Sequence, residues 1–553
     1  HTATPTQLPA PTPTASDSVA AQVAEPEIAP MRPQPAAKLA REARATGQAL
    51  ARIAPQPASA PAWVAPPPAP EARERYQTLD DNPVHLVSAD PVSTFSVDVD
   101  TGSYANIRRM LTAGQLPPAD AVRVEEMINY FPYDYTRPAG EHPFAVHTEL
   151  ARSPWQRGNL LLRVALKGQD LAAETLPPAN LVFLVDVSGS MHAADKLPLL
   201  KSALKLLVDR MRPEDRISLV TYASGTRVIL EAAPGSDKAR IANAIDALQA
   251  GGGTAGASGI ELAYRMARQG HIEGGINRIL LATDGDFNVG ISDFEQLKSM
   301  VEERRRSGVS LSTLGFGTGN YNERLMEQMA DVGDGAYSYI DTLMEAQKVL
   351  VSEMSSTLAT IARDVKIQVE FNPAAVSEYR LIGYENRVLA REDFNNDQVD
   401  AGDIGAGHTV TALYELTPVG APGLIDPLRY GGATEARPSQ PVAAPAELAY
   451  VKLRYKRPGE SASRLIEQPV ARASVRDIGA TSADFRFATA VAGFGQLLRG
   501  GRYTGGWRLA DARAMAAGGI GNDAFGYRGE ALRLMDLAAA LSSRPPLAVQ
   551  TRE

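Results

Sequence analysis

The chain has 553 residues, a formal net charge of -8 and no cysteine. That length calls for more than one folded unit. The missing cysteine excludes disulfides, thiolate metal ligands and a cysteine nucleophile, and a mildly acidic chain without a basic block is a poor binder of nucleic acid or anionic lipid. Hydrophobic residues make up 44%, enough for ordinary cores. No run of about eighteen apolar residues exists, so no segment is expected to span a bilayer. The chain begins at His1 rather than Met, which is consistent with removal of a signal peptide and a place in the cell envelope.

Residues 1–72 are rich in Ala, Pro, Thr and Gln, and stretches such as Pro9–Pro13 and Pro66–Pro70 cannot hold helix or sheet. This segment reads as a disordered, partly extended tether. At roughly 3.1 Å per residue its maximum reach is on the order of 200 Å. Residues 80–140 read as a small folded flank. Ser93–Asp100 alternates like a strand. Two helical patterns follow, one marked by Ile107, Met110 and Leu111, the other by Val122, Val124, Met127 and Ile128.

From Phe144 the pattern turns to β. Phe144–Leu150 and Leu160–Leu166 are apolar runs, and similar runs return at Val365–Phe371, Val376–Tyr384, Thr409–Leu416 and Leu448–Tyr455. Between the two groups, residues 176–358 alternate strand and helix. This spacing predicts an α/β domain inserted into a β-rich sandwich. Residues 142–168 supply the first part of the sandwich and 362–458 the second, because two strands alone would be marginal. Residues 459–545 are predicted to be mainly helical, with Phe487, Val491, Phe494 and Leu498 on one face, and Leu534, Leu537 and Leu541 on another.

Within 176–358, Leu181–Val185 reads as a buried strand. A helix follows with Leu200, Leu204, Leu207, Val208 and Met211 at helical spacing. Ile217–Val220 and Arg227–Leu230 are strands, and Ile241, Ile245 and Leu248 mark a helix. Ile279–Ala282 is another apolar strand. Phe294, Leu297, Met300 and Val301 lie on a helix, and Val309–Leu314 closes the set. Unbroken apolar strands between amphipathic helices predict a doubly wound, mostly parallel sheet covered on both faces. Such sheets bind ligands at the carboxyl ends of their strands.

Three loops at that edge offer only oxygens: Asp186-Val-Ser188-Gly-Ser190, Gly251-Gly-Gly-Thr254, and Thr283-Asp284-Gly285-Asp286. Carboxylates and hydroxyls suit a hard cation, Mg²⁺ first, with Mn²⁺ or Ca²⁺ as alternatives. The one-three-five spacing of Asp186, Ser188 and Ser190 turns three side chains inward around a tight loop, which Gly189 eases. Octahedral Mg²⁺ keeps waters, so some of the five oxygens act through water and one position stays open for an incoming ligand. Asp186 is read as a surface carboxylate that serves the ion rather than the core.

Taken together, Asp186, Ser188, Ser190, Thr254 and Asp284 resemble the metal-ion-dependent adhesion site of von Willebrand factor type A domains, with all five positions filled in order. The resemblance implies the doubly wound fold. It also implies a metal whose open position takes an Asp or Glu side chain from a partner protein. Phe95–Tyr104, Glu125–Tyr133 and Asp393–Asp397 resemble the bacterial YfbK-like family of A-domain proteins. The implied role is cation-dependent protein binding in adhesion or envelope assembly. The alternatives are a structural scaffold with a vestigial metal site and a metal-dependent hydrolase. The last needs a general base or activated nucleophile. No His or Cys accompanies Ser188 and Ser190, and Asp286 is the one spare carboxylate in the motif, so no catalytic residue is assigned.

The remaining polar groupings have simpler readings. Asp98, Asp100 and Ser103 precede a predicted helix and read as its cap. Asp393, Asn395 and Asp397 have the spacing that opens a calcium loop, but Gln398 and Ile404 stand where that loop needs Gly and Glu. A turn between two strands is the better reading. His192 follows the metal loop, within reach of a bound carboxylate, but reads more simply as a solvated loop residue, and Glu302–Arg306 reads as a solvated helix end.

Overall fold

The computed structural model describes residues 74–543 apart from 75, 79, 98–99, 173–174, 255, 286–293, 320, 354–358, 400 and 427–445. The 1–72 tether, Asp98 and Asp286 therefore lie outside the described residues. The described part opens with two short strands, β1 (His85–Leu86) and β2 (Val92–Ser96), and the helices Gly102–Thr112 and Val124–Asn129. Strands β3 (Phe144–Arg152) and β4 (Leu160–Gly168) follow. Next come β5 (Ala179–Asp186), β6 (Arg216–Tyr222), β7 (Thr226–Pro234), β8 (Ile276–Thr283), β9 (Ser310–Phe316) and β10 (Tyr337–Ile340). The last strands are β11 (Thr360–Phe371), β12 (Val376–Ile382), β13 (Gly402–Gly405), β14 (Thr409–Pro418), β15 (Glu447–Lys456), β16 (Arg464–Ala471) and β17 (Val475–Arg476). Three helices, Ala483–Leu498, Leu509–Gly518 and Tyr527–Ser542, end the described chain.

Strands β5 to β10 form one sheet in the order β10-β9-β8-β5-β6-β7. Every neighbour pair is parallel except β6 with β7. Only Ala223, Ser224 and Gly225 separate those two strands, too few for a crossover, so the pair is a hairpin. All eight residues of β5 are buried. Phe183 and Val185 face one core with Leu200, Leu204 and Leu207. Val182 and Leu184 face another with Ile260, Ala263 and Leu297. Burial on both faces is why the strand reads as an unbroken apolar run.

The sheet carries more than the periodicity gave. Strand β10 extends it beyond β9, and the helices Gly256–Gln269 and Glu323–Val332 complete its cover. Four residues are too few to show a period. At Gly335, ahead of β10, an added Cβ would lie 2.0 Å from the Leu311 carbonyl oxygen, so only glycine lets the chain pass there.

The segments on either side of this α/β domain pair with each other. Strand β4 pairs with β14 (Leu166 with Val410, Leu162 with Tyr414), and β14 pairs with β12. The resulting six-stranded sheet runs β1-β12-β14-β4-β3-β17. A second sheet, β13-β11-β15-β16, packs on it, and β2 joins end to end with β13 along one edge of β11. Leu162, Val164 and Leu166 share a core with Ile367, Val369 and Leu453 of the facing sheet. The alternate residues of β4, Leu161 and Ala165, face the other way. They meet a helical layer that joins Ile128 and Phe131 from the N-terminal flank to Phe487, Val491 and Phe494 from the C-terminal helices.

Several readings shift. The segment 459–545 contributes β16 and β17 before its helices begin. The alternating burial of β16, with Leu465 47% exposed, is that of an edge strand, and its Glu, Gln and Pro masked it. Leu537 is exposed, although Leu534 on the same helix is buried. Asp100 and Ser103 do not cap a helix. The helix starts at Gly102 without a side-chain cap. Asp100 instead accepts the Tyr337 amide at 2.9 Å, and Ser103 Oγ donates to the Ala121 carbonyl at 2.7 Å. Asp393–Asp397 lies between β12 and β13, where Arg454 donates to both Asn395 and Asp397. Among the described residues no helix is long and apolar enough to cross a membrane.

Candidate metal centre

Strands β5 and β8 lie side by side with Val185 opposite Ala282, so Asp186 and Thr283 end the two strands abreast. Asp186 Oδ1 accepts the Ser188 amide at 2.8 Å, and Oδ2 accepts the Thr283 hydroxyl at 2.9 Å. Ser188 Oγ and Ser190 Oγ are 2.9 Å apart. The Gly285 amide donates to Thr283 Oγ1 at 3.1 Å, which turns the chain just past Asp284. The loop leading to Thr254 is laced to the same turn: the Gly251 amide donates to the Val187 carbonyl at 2.8 Å, and the Gly189 amide to the Gly252 carbonyl at 3.0 Å. At Gly252 φ is +90°, and an added Cβ would lie 2.7 Å from Ser224 Oγ. Glycine is required there. Thr254 itself is buried.

The structure thus gathers Asp186, Ser188, Ser190 and Asp284 at one strand edge and brings the Thr254 loop against it. Asp186 is not a surface carboxylate. It is fully buried, because Thr283 on β8 and Tyr222 on β6 flank the strand end. Burial pushes its carboxyl up to about 6. The hydrogen bonds from Ser188 and Thr283 pull it back, and the charge of Asp284 pushes it further.

Sequence reasoning gave Lys196 no role at the site. Lys196 Nζ donates to Asp284 Oδ2 at 2.8 Å, and both side chains are buried. The lysine stem runs over Gly317, where an added Cβ would lie 2.3 Å from its Cγ. A signal for it existed. Lys196 immediately precedes the helix Leu197–Arg210, at the end where the helix dipole disfavours a cation, so its ammonium needs an acidic partner.

The donor set fits a hard divalent cation. It holds two carboxylates and three hydroxyls and no softer ligand. Asp284 already holds a cationic group, the Lys196 ammonium, at 2.8 Å. Among the described residues no group of three or more His, Asp and Glu surrounds a metal position. That is the consequence of a site with two carboxylates completed by hydroxyls.

The profile of the von Willebrand factor type A domain matches residues 180–353. A profile described as von Willebrand factor matches 70–163, and that of the YfbK C-terminal region matches 356–541. Fold and profile together define a von Willebrand factor type A domain protein. Over 471 residues the chain is 53% identical to YfbK of Escherichia coli (strain K12), covering 84% of this chain and 81% of that one. The chain belongs to the YfbK family. It is also 28% identical over 271 residues to the inter-alpha-trypsin inhibitor heavy chain H3 of Mesocricetus auratus, covering 44% of this chain and 30% of that one. Among solved structures, a von Willebrand factor type A protein from Catenulispora acidiphila covers 72% of this chain and 91% of its own, at 16% identity and a TM-score of 0.39.

Proposed function

We propose that the chain binds a divalent cation through Asp186, Ser188, Ser190, Thr254 and Asp284, and that the cation captures an Asp or Glu side chain of a partner protein. The observation that carries this reading is the meeting of Asp186, Ser188 and Ser190 with Asp284 at the ends of two adjacent parallel strands. The bound ion would supply an open, positively charged coordination position at the sheet edge. The chain's own part is to hold the oxygens. Thr283 fixes the Asp186 carboxylate, and the Ser188 amide fixes its other oxygen, so the ligands need little reordering when an ion arrives. Mg²⁺ suits the oxygen set best, and Mn²⁺ and Ca²⁺ suit the same chemistry. The reading is of a binder rather than a hydrolase, because the two serine hydroxyls face each other and the nearby amine is held on Asp284. We also propose the cell envelope as its location.

The test is calorimetric titration of the full chain with Mg²⁺ and Mn²⁺, followed by capture of partners from envelope extract with Mg²⁺ and then EDTA. Binding that Asp186→Ala abolishes, with EDTA-sensitive capture, supports the reading. Titration identical in the variant overturns it.

A further inference from the structure

We infer that Lys196 sets both the cation affinity and the partner charge of this site, as a tethered ammonium that neutralises Asp284. The inference rests on the cation-site reading above and adds a regulating residue to it.

Three observations carry it. The ammonium is 2.8 Å from Asp284 Oδ2, with 8% and 1% of the two side chains exposed. Water therefore screens the pair little. The stem lies in a slot that exists because residue 317 is glycine, with φ at +73°. Lys196 directly precedes the helix Leu197–Arg210, at the end whose dipole disfavours a cation. A neutral side chain would fill the slot without either electrostatic penalty. The charge itself is therefore what the position supplies.

Its effect follows from counting. Asp186 and Asp284 together carry two negative charges, and Lys196 returns the pair to one. A divalent cation meets less attraction than the two carboxylates would offer without the ammonium, and once bound it leaves these three side chains and the ion with one net positive charge. Only an anionic partner group neutralises that charge. Without the lysine the loaded site would be neutral and would favour an acidic side chain far less.

The experiment measures Mn²⁺ affinity of the full chain by calorimetry and electron paramagnetic resonance. Lys196→Met keeps the apolar stem and removes the charge. Lys196→Gln also keeps a hydrogen-bond donor towards Asp284 and serves if the methionine variant does not fold. Each folded variant is expected to bind Mn²⁺ more tightly than wild type, on the order of tenfold or more, because a like charge has left the site. Wild-type binding that Asp186→Ala abolishes, with Lys196 variants that bind no more tightly, overturns this inference and leaves the cation site standing. Wild-type binding that Asp186→Ala does not change overturns the cation site, and the inference with it.

Discussion

Arg387 donates to Asp100 Oδ2 at 3.1 Å, and each of the two also bonds to the A domain. Asp100 also accepts the amide of Tyr337 on β10. Arg387, which follows β12, reaches Glu327 at 3.1 Å and Asp331 at 3.0 Å on the helix Glu323–Val332. A parallel arrangement exists around Arg108, which joins Glu345 of the A domain at 2.7 Å to Glu530 of the last helix at 3.0 Å.

Arg387→Met is expected to destabilise the protein by about 3–5 kcal/mol, because it leaves buried Asp100 and Glu327 without their cation. Adding Asp100→Asn should recover part of the loss. Denaturant melts of the two single variants and the double variant measure the coupling. Strictly additive losses would contradict the pairing of Arg387 with Asp100.

Asp186→Asn tests the burial of the carboxyl. Its folded value, about 6, stands above the ordinary 3.8. Its contribution to stability is therefore complete below about pH 4 and is lost as the pH rises through 6. A shift of that size corresponds to about 3 kcal/mol. In EDTA, Asp186→Asn should match or exceed the wild-type melting temperature at pH 7.5 and show no gain at pH 4. An equal fall at both values would mean that the carboxylate is needed for the fold itself.

Glu323 gives a second pH dependence, away from the site. It is buried, neither carboxylate oxygen has a hydrogen-bond partner among the described residues, and burial raises its carboxyl well above 4.5, with Arg123 acting the other way. The fold holds this proton more tightly than the unfolded chain. Its stabilisation is present below about 4.5 and fades as the pH climbs through neutrality. Glu323→Gln should therefore raise the melting temperature at pH 8 and leave it unchanged near pH 4. Calorimetric scans across that range decide it.

Much of this was legible in the sequence because the signals were local. The strand β5 and its Asp-x-Ser-x-Ser continuation announce both the fold and three oxygens of the site, and Leu160–Leu166 announces a strand buried on both faces. What was hidden depends on distant neighbours. Lys196 becomes a site residue only through Asp284 and the space over Gly317. Asp100 looked like a cap because its partners, Tyr337 and Arg387, are more than two hundred residues away. The burial of Asp186 depends on Thr283 and Tyr222, which no spacing within its own loop reveals.

Gly493→Ala probes the helical layer. An added Cβ would lie 1.9 Å from the Trp507 ring, whose centroid is 5.3 Å from that of Trp155. The indole must move, at a cost of about 1–3 kcal/mol. Tryptophan emission should shift to the red in the folded variant. An unchanged spectrum and melting point would show that the helix yields instead.

The pairing of β4 with β14 has a consequence for how the chain reaches its native state. Lys167 and Gly407, 240 positions apart, meet through a hydrogen bond from Nζ to the carbonyl. As a free loop, that span carries a large closure entropy and belongs to the slow, non-local contacts. The intervening A domain has its own two cores. It can fold first and draw the ends of the span towards each other before the sandwich closes. During synthesis, β3 and β4 leave the ribosome long before β14 and wait as an unpaired sheet edge, exposed to wrong partners. Slowing the folding of the A domain should therefore appear first as aggregation through the sandwich, well away from the site that the A domain carries.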